Sequence, residues 1–569
     1  MRLAIIHQPP NLAPYCSEIA RTWGLFTEAL IAPNDVGTLD PATTPVLLCP
    51  ADTTHTRSAD LLAYTHRGGT LIAFFPQDEL ATAAGLTYQS AKTTPLRLRP
   101  VHYPAAGLAG ELLPIVGPAA TYQAPQSTVL AYLSHPGQYH DESPGVLDIS
   151  LGQGRLIAFA FDLPHAVLLL RQGDPALAEH IPAGDGCARP SHMACELGAN
   201  DAAWIPFADL LARFLVDLVR RHLPAPVPLL SHLPGAAPGL LLYSGDEDSA
   251  AVTANEEEFA AVQQAGGRMS LYIIPTRTHS KSTDVARYAQ DHDLGPHPDI
   301  RPLDGAPIAD RLAEFRRQIL LFQDMFGRPA RTQRTHCTAW AGYLEPVEIM
   351  QELGVGMDGS YFSGTYMRDR VGAPYAGFGG AMPMHFCHPD GRLLEVYQQH
   401  THLSDDVVFG DADYSYKLSP ENFAPQAHRI LADIASRFHT PYAVCIHPGN
   451  WVKFSRQQGL ALLQEARNHN CPIWSFDQWL SFCQARRTWR FEELAWDGQT
   501  LHLQLEAGTA HEDLGLLLPL YFQGQHLSNV HLGGRDTAWE QLSRYGEQVA
   551  LVSLAGLEGT LELAAIYAV

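Results

Sequence analysis

The sequence predicts an α/β protein in three parts: an N-terminal doubly wound parallel sheet, a central β/α barrel and a small C-terminal β-sandwich. Three observations carry this. Apolar runs of strand length alternate with helical patterns near the N-terminus. Further buried-strand runs recur between residues 240 and 475, several with a polar residue just past the end. After residue 488 the strands become short and alternate in polarity. A chain of 569 residues is also too long for one hydrophobic core.

Composition narrows the function classes. With 46% hydrophobic and 17% charged residues, the chain reads as an ordinary globular protein. A net charge of -22 argues against nucleic acid and anionic membrane as partners. No apolar stretch reaches the ~18 residues of a membrane helix. The opening Met1 to Pro10 has too short an apolar run for a signal peptide and reads as a first strand. Nine cysteines without a C-x-x-C pair imply reduced thiols, so a cytoplasmic protein is expected. Oligomeric state leaves no signal.

The first domain is expected over 1–223. Leu3 to His7 is a strand and Glu18 to Leu30 has helical periodicity. Val46 to Cys49 is a second strand, Ala59 to Arg67 a helix, and Thr70 to Phe75 a third strand. The stretch Tyr64 to Phe75, with the later Gly152-Gln153-Gly154-Arg155-Leu156-Ile157-Ala158-Phe159, resembles the class I glutamine amidotransferase-like superfamily. That activity needs a cysteine on a strand-to-helix elbow, and Cys49 is the one candidate. Pro50 follows it and has no N–H for an oxyanion hole. A catalytically silent domain is expected, with Cys49 a buried apolar residue. The segment Arg171 to Trp204 is long enough to cover a neighbouring site. Asp201 to Leu223 has the pattern of a last helix, and the prolines and glycines from Pro224 to Gly239 read as a linker.

The central domain, 240–487, turns on Gly239-Leu240-Leu241-Leu242-Tyr243-Ser244-Gly245-Asp246-Glu247-Asp248-Ser249. A buried strand here runs into three consecutive acids. Such acids either surround a cation or form a solvated turn with a helix cap. Further strands are expected at Met269–Ile274, before His297, at Arg331–Thr335, Gly354–Met357, Leu393–Gln398, Tyr442–Ile446 and Pro472–Ser475. Polar residues follow them repeatedly: Asp246 and Asp248, His297, His336, Asp358, His400 and His402, and His447. Residues at the C-terminal mouth of a barrel converge though distant in sequence.

The order of these features resembles the polysaccharide deacetylase family over most of residues 240 to 485. The resemblance implies a distorted (β/α) barrel, a divalent metal, zinc foremost, and hydrolysis of an acyl amide on an N-acetylated sugar or polysaccharide. It implies Asp246 as catalytic base and Asp248 as metal ligand, with Glu247 as the competing ligand. His297 matches the first histidine of the family's histidine pair, but Arg301 stands where the second belongs. His336, His400 or His402 would then complete the metal set, and His336 is taken as the ligand. Arg334 falls where the family has an arginine that steadies the base. The apolar run ending at His447 falls where the family has its general acid. Asp405-Asp406 reads as a solvated loop pair and Asp477 as an N-terminal helix charge.

Residues 488–569 form the predicted sandwich, with period two in Leu501 to Glu506 and Thr560 to Leu563. It is expected to brace the barrel or bind sugar. The expected whole is a metal-dependent carbohydrate deacetylase. The rival readings are a non-catalytic carbohydrate-binding protein with a decayed barrel, and a glycoside hydrolase with paired carboxylates.

Overall fold

The computed structural model describes all residues except 54–56, 102–110, 139, 196–203 and 364–377. Near the N-terminus lies a nine-stranded sheet. Glu28–Ile31, Leu3–Ile6, Val46–Cys49, Thr70–Phe74 and Gly154–Phe159 pair parallel, in that spatial order. Each is short and apolar, and four of the five are wholly or largely buried. The other half departs from the doubly wound expectation. Ser143–Leu151, Thr128–Ser134, Leu96–Pro100 and Leu113–Ile115 continue the sheet antiparallel. The cause is local: only Gly152 and Gln153 separate Ser143–Leu151 from Gly154–Phe159, and Gly152 has φ 66°. So short a connection makes a hairpin and excludes a parallel crossover.

The central strands form two open sheets. No closed barrel is found among the described residues. In the first, Asp293–Pro296, Ser270–Ile273, Leu240–Asp246, Pro441–Cys445 and Leu403–Ser404 run parallel, with Ile473–Trp474 a further partner of Leu240–Asp246. In the second, Thr332–Gln333, Met357–Asp358 and Leu393–Gln398 run parallel, and Met384–Cys387 is antiparallel at the edge. The sheets approach where Asp293–Pro296 passes Thr332–Gln333. Pro296 and Pro298 carry no N–H, so a ladder cannot continue there. The crossing keeps Arg334 N–H to Pro296 O at 3.5 Å and His336 N–H to Pro298 O at 3.0 Å. Helices Val252–Gln264 and Ile308–Phe326 lie between the strands.

The Pro-rich stretch after residue 223 is not a free linker. Leu229–Leu230 is a buried strand that pairs antiparallel with Gly515–Pro519, in one sheet with Glu547–Ser553 and Glu540–Arg544. A second C-terminal sheet holds Arg490–Trp496, Thr500–Glu506, Thr560–Ala568, Gln525–Leu532 and Tyr521–Phe522. The alternation in Thr500–Glu506 becomes an alternation of buried leucines with outward polar residues.

Buried polar contacts join the N-terminal part to the centre. Arg171 pairs with Asp209 at 3.0 Å and donates to Met382 O at 2.8 Å. Asp209 in turn accepts from the Ala381 and Met382 N–H groups. The Gln172 amide exchanges two bonds with the Cys387 backbone. Of the segment expected to cover a site, residues 171–195 contact the central part through Arg171, Gln172, Glu179, Ala188 and Arg189, while 196–203, on which the expected helix start at Asp201 falls, lie outside the described residues. That helix is described as Phe207–His222. Cys49 is fully buried, and burial pushes its thiol up to about 12. No helix among the described residues is long and apolar enough to cross a membrane.

Candidate active site at the ends of the central strands

Leu240–Asp246 and Pro441–Cys445 approach closely because Gly245 has no side chain. A Cβ there would lie 2.6 Å from Ile446 O. Asp246 ends the first strand and is 5% exposed. The turn after it takes left-handed backbone at Asp248 (φ 44°) and Ser249 (φ 64°), which a short polar side chain tolerates best. This turn sends the three acids different ways. Glu247 is fully buried and accepts from Asn255 Nδ2 at 3.0 Å and from Ser280 Oγ. It is thereby tied to the neighbouring helix, which leaves Asp246 and Asp248 to face the histidines.

Arg334 arrives from the second sheet, just after Thr332–Gln333, and is 2% exposed. Its guanidinium donates to Asp246 Oδ1 at 2.8 Å, Ser244 Oγ at 2.8 Å, Thr401 Oγ1 at 2.9 Å and Gly359 O at 3.2 Å. It stands over the Tyr272 ring at 4.9 Å. Arg334 therefore locks one oxygen of Asp246 and leaves Oδ2 toward His297.

Three imidazoles surround Asp248. His297 is 1% exposed, and its Nδ1–H is spent on Arg334 O at 2.6 Å. Its Nε2 is buried without a hydrogen-bond partner, 3.3 Å from Asp248 Oδ1 and 3.5 Å from Asp246 Oδ2. His336 puts Nε2 at 3.7 Å from the same Asp248 Oδ1, with Nδ1 at 2.9 Å from Asp299 Oδ1 behind it. His447 caps the helical turn opened by Pro448 and lies 3.7 Å from Asp248 Oδ2 through Nε2. Asp405 holds its other nitrogen, and also accepts the His447 N–H at 3.1 Å.

These partners set the charges. Burial favours neutral Asp246, but Arg334, then His297 and His447, outweigh it and hold the carboxyl below the usual carboxylate range. Burial also opposes ionised Asp248, and its three histidines win in the same way. Burial disfavours charged His447, yet Asp405 raises it well above an ordinary histidine. His336 is likewise raised to about 10, Asp299 outweighing burial. The result is an ionised acid facing a protonated imidazole, two groups pushed apart in pKa as acid–base pairs require.

The arrangement suits a divalent cation. A buried imidazole nitrogen with no hydrogen-bond partner, flanked by two carboxylates, is a ligand candidate. His297 Nε2 and His336 Nε2 each approach Asp248 Oδ1, at 3.3 and 3.7 Å, and the carbonyl behind His297 and the carboxylate behind His336 fix each ring. Among the described residues, three groups of donor atoms lie wholly within 4.8 Å of one another: Asp246 with Cys445 and His447, Asp405 with Asp406 and His447, and His428 with Glu465 and His469; Asp248, His297 and His336 together are not such a group. The first two draw on His447, whose Nδ1 is committed to Asp405, and burial keeps the Cys445 thiol protonated. An ion at Asp248, His297 and His336 would therefore have to draw the two imidazoles closer together.

Several expectations fall elsewhere. Arg301 stays half-buried at the rim and pairs with Asp304 at 2.6 Å, outside the histidine cluster. His400 and His402 are core residues. His400 bonds Arg171 O at 3.1 Å, while His402 bridges Gly380 O and the Ala443 N–H. Asp405 is fully buried, so the solvated-loop reading of Asp405-Asp406 is wrong. Its signal was an acid just past an apolar step, but Leu403–Ser404 is too short a strand to show periodicity. Asp477 does sit in the first turn of Phe476–Thr488, and it also accepts from Thr332 Oγ1 at 2.7 Å. Ser244 and Thr401, which position Arg334, leave no motif at all. Asp246, Asp248, Arg334, Thr401 and His447 line one small cleft.

No family model matches the chain, and no curated protein does. Among solved structures it is similar to Agd3, described as a novel carbohydrate deacetylase, at 10% identity and TM-score 0.43, with 99% of each chain covered. It is also similar to a mutant of BA3943, a CE4 family pseudoenzyme with restored enzymatic activity, at 10% identity and TM-score 0.27, covering 45% of this chain and 72% of that one. A β-galactosidase from Bacillus circulans sp. alkalophilus matches at 13% identity and TM-score 0.24, covering 28% of each chain. Likenesses this distant say nothing about chemistry, which the residues themselves must supply.

Proposed function

We propose that this chain is a metal-dependent hydrolase that removes the acetyl group from an N-acetylated sugar or polysaccharide. The observation that carries the reading is the unpartnered, 1% exposed Nε2 of His297 between Asp246 and Asp248. Asp248, His297 and His336 would hold the ion, with zinc the first choice for a carboxylate and two imidazoles. A divalent ion bound there supplies a Lewis acid for the acyl carbonyl and a more acidic water.

The chain's own groups carry the protons. Asp246 is kept ionised by Arg334 and takes the proton of the attacking water at Oδ2, the oxygen Arg334 leaves open. His447 is kept protonated by Asp405 and delivers a proton from Nε2 to the leaving amine. Asp405 also fixes the tautomer and ring orientation, a positioning role. The carbohydrate class rests on the family resemblance of the motifs.

Acetate release from chitooligosaccharides and other N-acetylated glycans tests this. Asp246→Asn and His447→Asn should each lower turnover by roughly 10² to 10⁴-fold. Asp405→Asn should lower kcat more than it changes KM, with the basic limb of the pH profile displaced. Turnover unaltered in Asp246→Asn and His447→Asn would sink the acid–base assignment.

A further inference from the structure

A second group of donor atoms draws on none of the cleft residues and bridges two helices. Pro420–Asp433 leads into the strand Pro441–Cys445, and Arg456–Asn468 follows that strand toward Ile473–Trp474. His428 stands on the first helix, Glu465 on the second, and His469 directly follows the second. Glu465 and His469 are four apart, the spacing that puts two side chains on one helical face. One ligand atom of each of the three residues lies within 4.8 Å of the others. His428 Nδ1 is 2.8 Å from Glu465 Oε2, and His469 Nε2 is 3.6 Å from the same oxygen. The two rings lie 5.1 Å apart between centroids.

An ion pair alone does not account for this arrangement. Glu465 falls in the last turn of its helix, where the macrodipole disfavours a carboxylate. Asn468 Nδ2 donates to Oε1 at 3.1 Å, and Gln464 steadies Asn468 at 2.8 Å, which leaves Oε2 to both imidazoles. Yet His469 Nε2 stops short of a hydrogen bond and is buried with no partner. A buried ring nitrogen left unpaired beside a carboxylate calls for a further group. Donor atoms sharing one tetrahedral ion stand roughly 3.4 Å apart, from zinc–nitrogen and zinc–oxygen bonds of about 2.1 Å. The separations of 2.8 and 3.6 Å bracket that spacing.

We propose that His428, Glu465 and His469 form a second divalent-metal site, for zinc or an ion of its class. Two imidazoles and a carboxylate suit zinc, nickel or copper better than magnesium or calcium. On binding, the proton between His428 Nδ1 and Glu465 Oε2 gives way to the ion, and His428 then carries its ring proton on Nε2. Lone pairs of two nitrogens and one oxygen form the new bonds, with no change in oxidation state. His428 is exposed, so water completes the coordination. An open site of this kind exchanges its ion with solvent, and passage into metal-free buffer empties it. When filled, it clamps the helix before the strand that leads to His447 onto the helix after it. The inference does not depend on a metal in the cleft.

Calorimetric titration of zinc into the full-length protein, after such passage, tests this. The wild type should show a zinc-binding event that weakens about tenfold or more in His428→Gln and in His469→Gln, since losing a ligand should cost no less than losing an outer-shell partner. The event should persist in Asp248→Ala, which separates it from any ion in the cleft. Thermal melting gives a second readout: zinc should raise the Tm of the wild type more than that of His428→Gln. Equal zinc affinity in the wild type, His428→Gln and His469→Gln would overturn the proposal. So would loss of the event in Asp248→Ala, or no zinc binding in the wild type.

Discussion

Removing Arg334 should expose how the site is built. Arg334→Met deletes a guanidinium that is 2% exposed and leaves the Asp246 carboxylate buried and unpaired. At 2.8 Å and an effective dielectric of about 20, their attraction is about 6 kcal/mol before desolvation. Most of that offsets the cost of burying both ions, so breaking the pair from one side should cost about 3–5 kcal/mol. Asp246→Asn should cost less than this, since Ser244, Thr401 and Gly359 still hold the guanidinium. Once Arg334 is gone, neutralising Asp246 removes the uncompensated charge. The double variant should then be more stable than the sum of the singles by about 2 kcal/mol. Urea unfolding of all four proteins, with chelator present, reads this directly. Additivity within about 0.5 kcal/mol would refute a coupled pair.

Two further outcomes are expected. Asp358 is fully buried, and burial raises its carboxyl to about 7 against hydrogen bonds from Ser360 and Gln333. An acid whose folded pKa exceeds its unfolded value of about 4 binds its proton more tightly when folded, so stability falls as pH rises between the two. Asp358→Asn should flatten that fall by on the order of a few kcal/mol between pH 5 and pH 8, and identical pH slopes in both proteins would contradict it. Arg301→His should leave metal content unchanged, because Arg301 sits at the rim with Asp304. A gain in bound metal would show instead that Arg301 blocks a ligand position.

What was legible followed from periodicity and strand ends. The runs Leu240–Tyr243 and Pro441–Cys445 are apolar, so the residues after them could be placed at one mouth. Asp246, Asp248, His297, Arg334, His336 and His447 do meet there, from both open sheets. The choice between Glu247 and Asp248 was not legible, because it depends on left-handed backbone at Asp248 and on Asn255 and Ser280 from elsewhere in the chain. Asp405 was missed because charge pairs in a polar stretch look solvated until a partner is known. The strand at Leu229–Leu230 was hidden by its prolines, since two residues carry no period. The break between the central sheets was written in Pro296 and Pro298, but only the spatial neighbour makes their missing N–H groups decisive.

The central claim is that one divalent ion binds at Asp248, His297 and His336. Elemental analysis of protein purified under metal-replete conditions tests it most directly, with Asp248→Ala, His297→Ala and His336→Ala beside the wild type. About one equivalent of metal, foremost zinc, is expected in the wild type, and a clear loss in each variant that retains its fold by circular dichroism. Equal metal in all four proteins, or none in the wild type, would contradict it.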